Sequence, residues 1–345
     1  MTTQDLLLCT NLRGEAKREQ AEAEQARRHG ERYREYRRQY RAAGRFEFEP
    51  AFPLYLMLEQ TYLCNLRCPM CIQGMPEQRR NFEPGGARMT EDLYKRILLE
   101  GQKHQCPSIA MHVNDEPLLV KNLPERIALA KAHGFMDIFM TTNGTLLTEE
   151  KIRAVIEAGV THILFSVDAA TEETYNRVRP GGNYEKVLRA IDTARRFRDS
   201  QGSVLPILRA SFVQNRLNQH ETKIFLERFT DRVDFVEIQG FTHYYDQTTA
   251  LAPQDLVPVA DFTCNEPWRK LIVRANGDVL PCCSFYGYEI VLGNLADSTL
   301  QQMFNSPRMK KLRNDFKQGI YENPACESCS RSFYKPILRE SEGAK

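Results

Sequence analysis

From residue 54 to residue 241, short apolar runs alternate with amphipathic stretches of helical period, and this alternation limits the fold more than any other feature. The runs are LYLMLEQT (54–61), SIAMHVNDEP (108–117), FMDIFMTTNGT (135–145), THILFSVDAA (161–170), VLPILRASFV (204–213) and VDFVEIQGF (233–241). Helical patterns at about 90–104, 122–133, 148–158, 184–198 and 218–230 separate them, with Thr148, Asn183 and Asn218 as cap residues. Strands separated by helices pair in parallel, because a parallel pair needs a crossover. Strands buried on both faces should be apolar throughout, as these largely are. The predicted class is α/β, a partial (β/α)6 barrel of TIM type. The polar residues of the runs gather at their C-terminal ends: Glu59, Gln60, Asn114, Asp115, Glu116, Thr142, Asn143, Ser166, Asp168 and Gln239. Parallel barrels keep their active sites at that edge, so these residues are expected in one mouth.

The first run ends in TYLCNLRCPMC, which sets Cys64, Cys68 and Cys71 four and then three residues apart with no fourth cysteine nearby. The chain has ten cysteines, and five more lie between Cys264 and Cys329. MTTQDLLLCT at the start has no basic segment of a secretory signal. No apolar run approaches the roughly 20 residues of a membrane helix. A cytoplasmic location without membrane attachment is therefore expected, and in a reducing compartment grouped cysteines read as metal ligands or catalysts. Cys9 and Cys106 stand alone and read as small buried hydrophobes. A net charge of +2 gives no global sign of nucleic-acid binding.

The chain divides into three parts. Residues 1–50 are an N-terminal extension of charged helical pattern, punctuated at Gly30 and Gly44. Tyr33, Tyr36 and Tyr40 share one face of it, through which it is expected to dock. Residues 51–245 hold the barrel, and residues 246–345 a C-terminal module. In the module Asn276-Gly277-Asp278 is a hairpin signal between LIVRA and VLPCC, which swings Cys282 back toward Cys264. CESC at 326–329 follows. A hairpin with paired cysteines also describes a zinc ribbon.

The Cys64-xxx-Cys68-xx-Cys71 loop after a first strand, with NDEPLL (114–119), TNGTLL (142–147) and SVDAATEETYNRVRPGGNYEKVLRAI (166–191) in order, resembles the radical S-adenosylmethionine (radical SAM) superfamily. That resemblance implies that Cys64, Cys68 and Cys71 hold three irons of a [4Fe-4S] cluster whose fourth iron is chelated by SAM. It implies that Glu116 accepts from the SAM ammonium and Arg179 pairs with its carboxylate. Ser166 and Asn143 would contact the ribose or methionine part, and Met70 the adenine. Asn114 and Asp115 stand where members often carry two glycines. The C-terminal module resembles the SPASM auxiliary-cluster region or its shortened form, twitch. By that likeness Cys264, Cys282, Cys326 and Cys329 hold a second [4Fe-4S] cluster over the barrel mouth. Cys283 is left as a spare ligand or a hydrogen donor.

The resemblance implies an enzyme that cleaves SAM to a 5′-deoxyadenosyl radical and takes hydrogen from a small polar substrate. The substrate would be a sugar, an aminocyclitol or a similar natural-product intermediate, which is then oxidised or epimerised. Maturation of a ribosomally made peptide is the alternative. A non-catalytic iron–sulfur or zinc-binding protein is a third reading. A flavodoxin or ferredoxin is the expected electron donor. The N-terminal arm is expected to be dispensable for SAM cleavage.

Overall fold

The computed structural model describes residues 14–84, 88–244, 246–254 and 257–335; Cys9 lies outside them. The six expected strands form: β1 (Tyr55–Leu58), β2 (Ser108–Ala110), β3 (Asp137–Thr142), β4 (His162–Ser166), β5 (Ile207–Val213) and β6 (Phe235–Gln239). Each pairs in parallel with the next, Leu56 beside Ile109, Ile138 beside Ile109, and Phe165 beside Ala210. The result is a partial barrel with the connecting helices outside it.

Before β1 stand α1 (Gly14–His29) and α2 (Glu31–Gly44). Between the strands run α3 (Glu91–Lys103), α4 (Leu123–Ala132), α5 (Glu149–Ala158), α6 (Tyr184–Ser200) and α7 (Thr222–Thr230). The cap reading holds at Thr148, whose hydroxyl accepts from Lys151 N, and at Asn183, whose side chain accepts from Lys186 N. It fails at Asn218, since α7 begins only at Thr222 after a turn of 3-10 helix. The Asn218 amide instead donates to the carbonyls of Asp168 and Val213, at 2.9 and 3.0 Å. It ties the end of β4 to the end of β5. β2 is shorter than its apolar run because the chain turns away after Ala110 to form the loop carrying Asn114, Asp115 and Glu116.

The sheet continues past β1 with β7 (Lys270–Val273), β8 (Asp278–Leu280) and the two-residue β9 (Gly293–Asn294). Its order is β6-β5-β4-β3-β2-β1-β7-β8-β9. The hairpin turns at Gly277, whose φ of 89° is a conformation that glycine adopts without a Cβ clash. β7 lies parallel to β1 with Lys270 level with Tyr55, the first residue of β1. Cys264 precedes that level, and Cys282 follows Leu280, which pairs with Ile272. The module therefore extends the sheet beside β1. Bridges from Thr242 to Phe333 and from Pro258 to Tyr334 tie the C-terminal segment to the chain after β6. Periodicity marks a hairpin but does not say which strand edge it will extend.

The arm is two helices broken at Gly30, where φ is 64°. Its tyrosine face docks as expected: Tyr33 and Tyr36 are buried, their rings edge-on at 5.8 Å. Burying each ring is worth about 2 kcal/mol. Gln25 donates to Met136 O at 2.8 Å and to Asp137 Oδ1 at 2.9 Å, fixing the arm against the start of β3. No helix among the described residues is long and apolar enough to cross a membrane.

Candidate active site

The end of β1 releases the chain into the cysteine loop, which hydrogen bonds to itself. Cys71 N donates to Cys68 O at 3.0 Å, and Gly74 N to Cys71 O at 2.8 Å. A Cβ on Gly74 would sit 2.1 Å from the Cys68 carbonyl oxygen, so the loop closes only around glycine. Cys64, Cys68 and Cys71 line one cavity of about 330 Å³ at the C-terminal edge of the barrel. Met70, Glu116, Asn143, Ser166 and Arg179 line the same cavity, so the structure brings together all eight residues assigned to this site.

Glu116 is 1% exposed, and its carboxylate accepts from Thr142 Oγ1 (2.8 Å), Asn143 N (2.8 Å) and Leu118 N (3.2 Å). Burial raises its pKa, and these donors pull against that rise. A carboxylate has about four acceptor positions, so one remains for a ligand. Arg179 forms an ion pair with Asp168 and reaches to 3.7 Å from Cys68 Sγ. Its Nε is buried without a hydrogen-bond partner among the described residues. An orphaned guanidinium donor in a cavity suits an anionic ligand group.

The sequence marks Asp168 only as one polar strand-end residue, yet it holds Arg179 in place. Its φ is 60°, uncommon outside glycine, and its Oδ1 accepts from Val213 N at 2.7 Å. Asp115 and Asn114 also explain the departure from two glycines. Asp115 accepts from Val113 N and Thr61 N, pinning its loop to the cysteine loop. Asn114 donates to Tyr288 Oη at 3.2 Å, and Tyr288 donates to Glu59 at 2.8 Å. The loop after β2 is thereby fastened to the C-terminal module, a pairing with no short-range signal in sequence.

The second cysteine group separates. Cys264, Cys282, Cys326 and Cys329 line one apolar pocket among Phe262, Tyr286 and Tyr321. A Cβ on Gly287 would meet Cys282 Sγ at 2.7 Å, so this glycine leaves room for the sulfur. Cys283 faces away, with Sγ at 3.9 Å from both Lys270 Nζ and Glu266 Oε2. It lines the mouth cavity and also a larger lumen of about 510 Å³ in the barrel. Thr141 and Gln239 line both as well, so the two spaces meet there.

The donor sets suit iron–sulfur ligation. All nine described cysteines are free, and no group of three or more His, Cys, Asp or Glu side chains among the described residues is arranged to hold a metal ion. Three thiols on one loop beside a cavity, and four around one apolar pocket, suit the corners of a cube of irons and sulfides. Burial pushes Cys64 up to about 11 and Cys71 up to about 12, and raises Cys282 and Cys264 as well. Such thiols become thiolates at neutral pH only against a metal.

A family model for the radical SAM superfamily matches residues 58–207, and one for SPASM, an iron–sulfur cluster-binding domain, matches residues 264–330. The chain is 24% identical over 322 residues to the tungsten-containing aldehyde ferredoxin oxidoreductase cofactor-modifying protein of Pyrococcus furiosus, covering 80% of this chain and 87% of the relative. It is 28% identical over 216 residues to the PqqA peptide cyclase of Rhodopseudomonas palustris, covering 61% of this chain and 53% of that protein. Among solved structures, BtrN in complex with AdoMet and 2-DOIA superposes with a TM-score of 0.52 at 17% identity, covering 82% of this chain and 93% of that one.

Proposed function

This chain belongs to the radical SAM superfamily and carries a C-terminal SPASM domain, and from that premise we propose that it activates a C–H bond of a small polar molecule held inside the barrel. The observation that carries this reading is the meeting of the cysteine-loop cavity with the barrel lumen at Thr141, Gln239 and Cys283.

Membership brings SAM and a [4Fe-4S] cluster, with further iron–sulfur ligation in the SPASM domain. Together, when bound, they supply one-electron cleavage of the sulfonium to methionine and a 5′-deoxyadenosyl radical, which takes hydrogen from unactivated carbon. Cys64, Cys68 and Cys71 are the proposed ligands at the mouth, and Cys264, Cys282, Cys326 and Cys329 those of one auxiliary cluster. Glu116 accepts from the ammonium of the methionine part, and Arg179 Nε donates to its carboxylate. Asn143 and Ser166 contact the methionine or ribose part, and the Met70 thioether packs on the adenine. The protein's share of the chemistry is to hold the reacting carbons in contact and to keep water away.

The outcome is an oxidation or an epimerisation of the substrate. Cys283 supports the second: its thiol borders both cavities. Lys270, held by Glu266 at 2.5 Å, stands beside it. The proposed electron donor is a flavodoxin or ferredoxin. Peptide maturation is a second reading, favoured by the likeness to the PqqA peptide cyclase. The volume of the lumen, about 510 Å³, favours a small molecule. Reconstitution with iron and sulfide without oxygen, then SAM and dithionite, should yield 5′-deoxyadenosine. Its absence from protein with loaded clusters would sink the proposal.

A further inference from the structure

The N-terminal arm lies outside both matched domains, which begin at residue 58 and residue 264. It nonetheless lines the barrel lumen. We infer that the arm is a wall of the substrate pocket: Gln25, Tyr33, Tyr36 and Arg37 close the far end of the lumen, and with Arg209 and Lys270 they select a neutral or zwitterionic molecule small enough to be enclosed. The inference rests on the reading of this chain as a radical SAM enzyme with a small polar substrate.

Three observations carry it. The lumen has two ends. One meets the mouth cavity at Thr141, Gln239 and Cys283, and the other is bounded by arm residues. Gln25 fixes the arm there by donating to both Met136 O and Asp137 Oδ1. The volume of about 510 Å³ sets the size. At roughly 30 Å³ per water, it takes about 17 waters, or a molecule of about monosaccharide to disaccharide size.

Charge sets the class. The half-buried Arg37 and Arg209 and the buried Lys270 already face carboxylates: Arg37 with Glu22 at 3.0 Å, Arg209 with Glu237, and Lys270 with Glu266 at 2.5 Å. Arg18 is exposed. A phosphate would meet Glu22, Glu237 and Asp137 as closely as it met their partners, so a polyanion gains little here. A ligand carrying both donors and acceptors can bond to each pair without breaking it. His112 adds a neutral donor: its Nδ1 accepts from Thr141 N at 3.0 Å, which leaves the proton on Nε2. Flat faces come from Tyr33, Tyr36 and Tyr55, and from Phe139 stacked on His162 at 4.0 Å. They suit the C–H face of a saturated ring.

Two measurements test the inference on the cluster-loaded full chain. The first is alkylation of Cys283 by iodoacetamide with SAM bound, read by peptide mass. Y36A with R37A, and separately Q25A, should speed it about tenfold, the factor that 1.4 kcal/mol of lost closure gives. The paired Q25A variant guards against misfolding of the first, and circular dichroism and iron content check both. Rates equal to wild type in Q25A and in the folded double variant would show that the arm is no wall.

The second uses dialysable cell extract split on an anion exchanger, with stimulation of 5′-deoxyadenosine formation as readout. The unretained fraction should stimulate, and R37A should raise the apparent KM for it about tenfold. Stimulation by the retained fraction alone, by undialysable peptide alone, or by neither would overturn the substrate class. If wild type with loaded clusters forms no 5′-deoxyadenosine at all, the radical SAM reading fails, while the alkylation rates still decide whether the arm is a wall.

Discussion

Cys282 and Cys283 are joined by one peptide bond and face different chambers. The sulfur of Cys282 shares an apolar pocket with Cys264, Cys326 and Cys329, and that of Cys283 borders the barrel lumen beside Lys270. Both follow β8, in the segment where the chain bends toward the 3-10 turn at Phe285–Glu289, so one short segment serves two sites.

That geometry separates two variants that the sequence leaves equivalent. C282A should lose about half the iron and sulfide of an enzyme holding about eight of each, because one thiolate of a four-cysteine site is gone. C283A should keep the full content. Iron and sulfide analysis of protein prepared without oxygen checks both. Stoichiometric zinc in that protein, or loss of iron from C283A alone, would refute the assignment.

At the mouth, Glu116 and Arg179 are expected to hold SAM. E116A should weaken SAM binding by about 1–3 kcal/mol, the cost of removing a charge-assisted acceptor. R179A should weaken it by a similar amount. D168N should do so through Arg179, because Asp168 holds that guanidinium. Calorimetry with SAM measures all three, and an undiminished affinity in E116A and R179A would remove both from the SAM site.

The barrel was legible because its signal is local. Apolar runs, helical period and turn chemistry fix strand and helix identity, and the cysteine spacing fixes the mouth. What was hidden depends on distant pairs. The arm's role rests on Gln25 reaching Asp137 across 112 residues, and the loop after β2 is held by Asn114 meeting Tyr288 across 174. Asn218 reads as a helix cap, and in the fold the backbone of Asp168 and Val213 outcompetes that role. The hairpin's turn at Gly277 was visible, but its pairing with β1 was not.

Acid should loosen the barrel through His112. Burial pushes this histidine down to about 4 from 6.5, so the unfolded chain binds a proton that the fold refuses. The unfolded state holds more protons between those two values, and stability therefore falls as pH drops through that window. Lowering the pH from 8 to 5.5 should cost about 1.4 kcal/mol from this group alone. H112Q should lose that share of the pH dependence and keep the rest, including that of His162. Urea unfolding of both proteins at the two pH values measures the difference, and equal slopes would exclude His112 as the source.

The auxiliary pocket should be needed for product and not for SAM cleavage. None of Cys264, Cys282, Cys326 and Cys329 lines the mouth cavity, so removing them leaves Glu116, Arg179 and the cysteine loop intact. Cys283, one residue from Cys282, does reach the space beside the substrate lumen, which gives the pocket a short path to a bound molecule. C326A with C329A should therefore still form 5′-deoxyadenosine above background once the mouth cluster is verified by spectroscopy. The ratio of 5′-deoxyadenosine to product should rise, because hydrogen is taken but the substrate radical is not resolved to product. A ratio equal to that of wild type would make the second site structural. If C283A alone abolishes product while both clusters remain, the thiol is the hydrogen donor and the reaction is an epimerisation. If C283A keeps product and the double variant loses it, the substrate gives up its second electron through the auxiliary site, and the reaction is an oxidation.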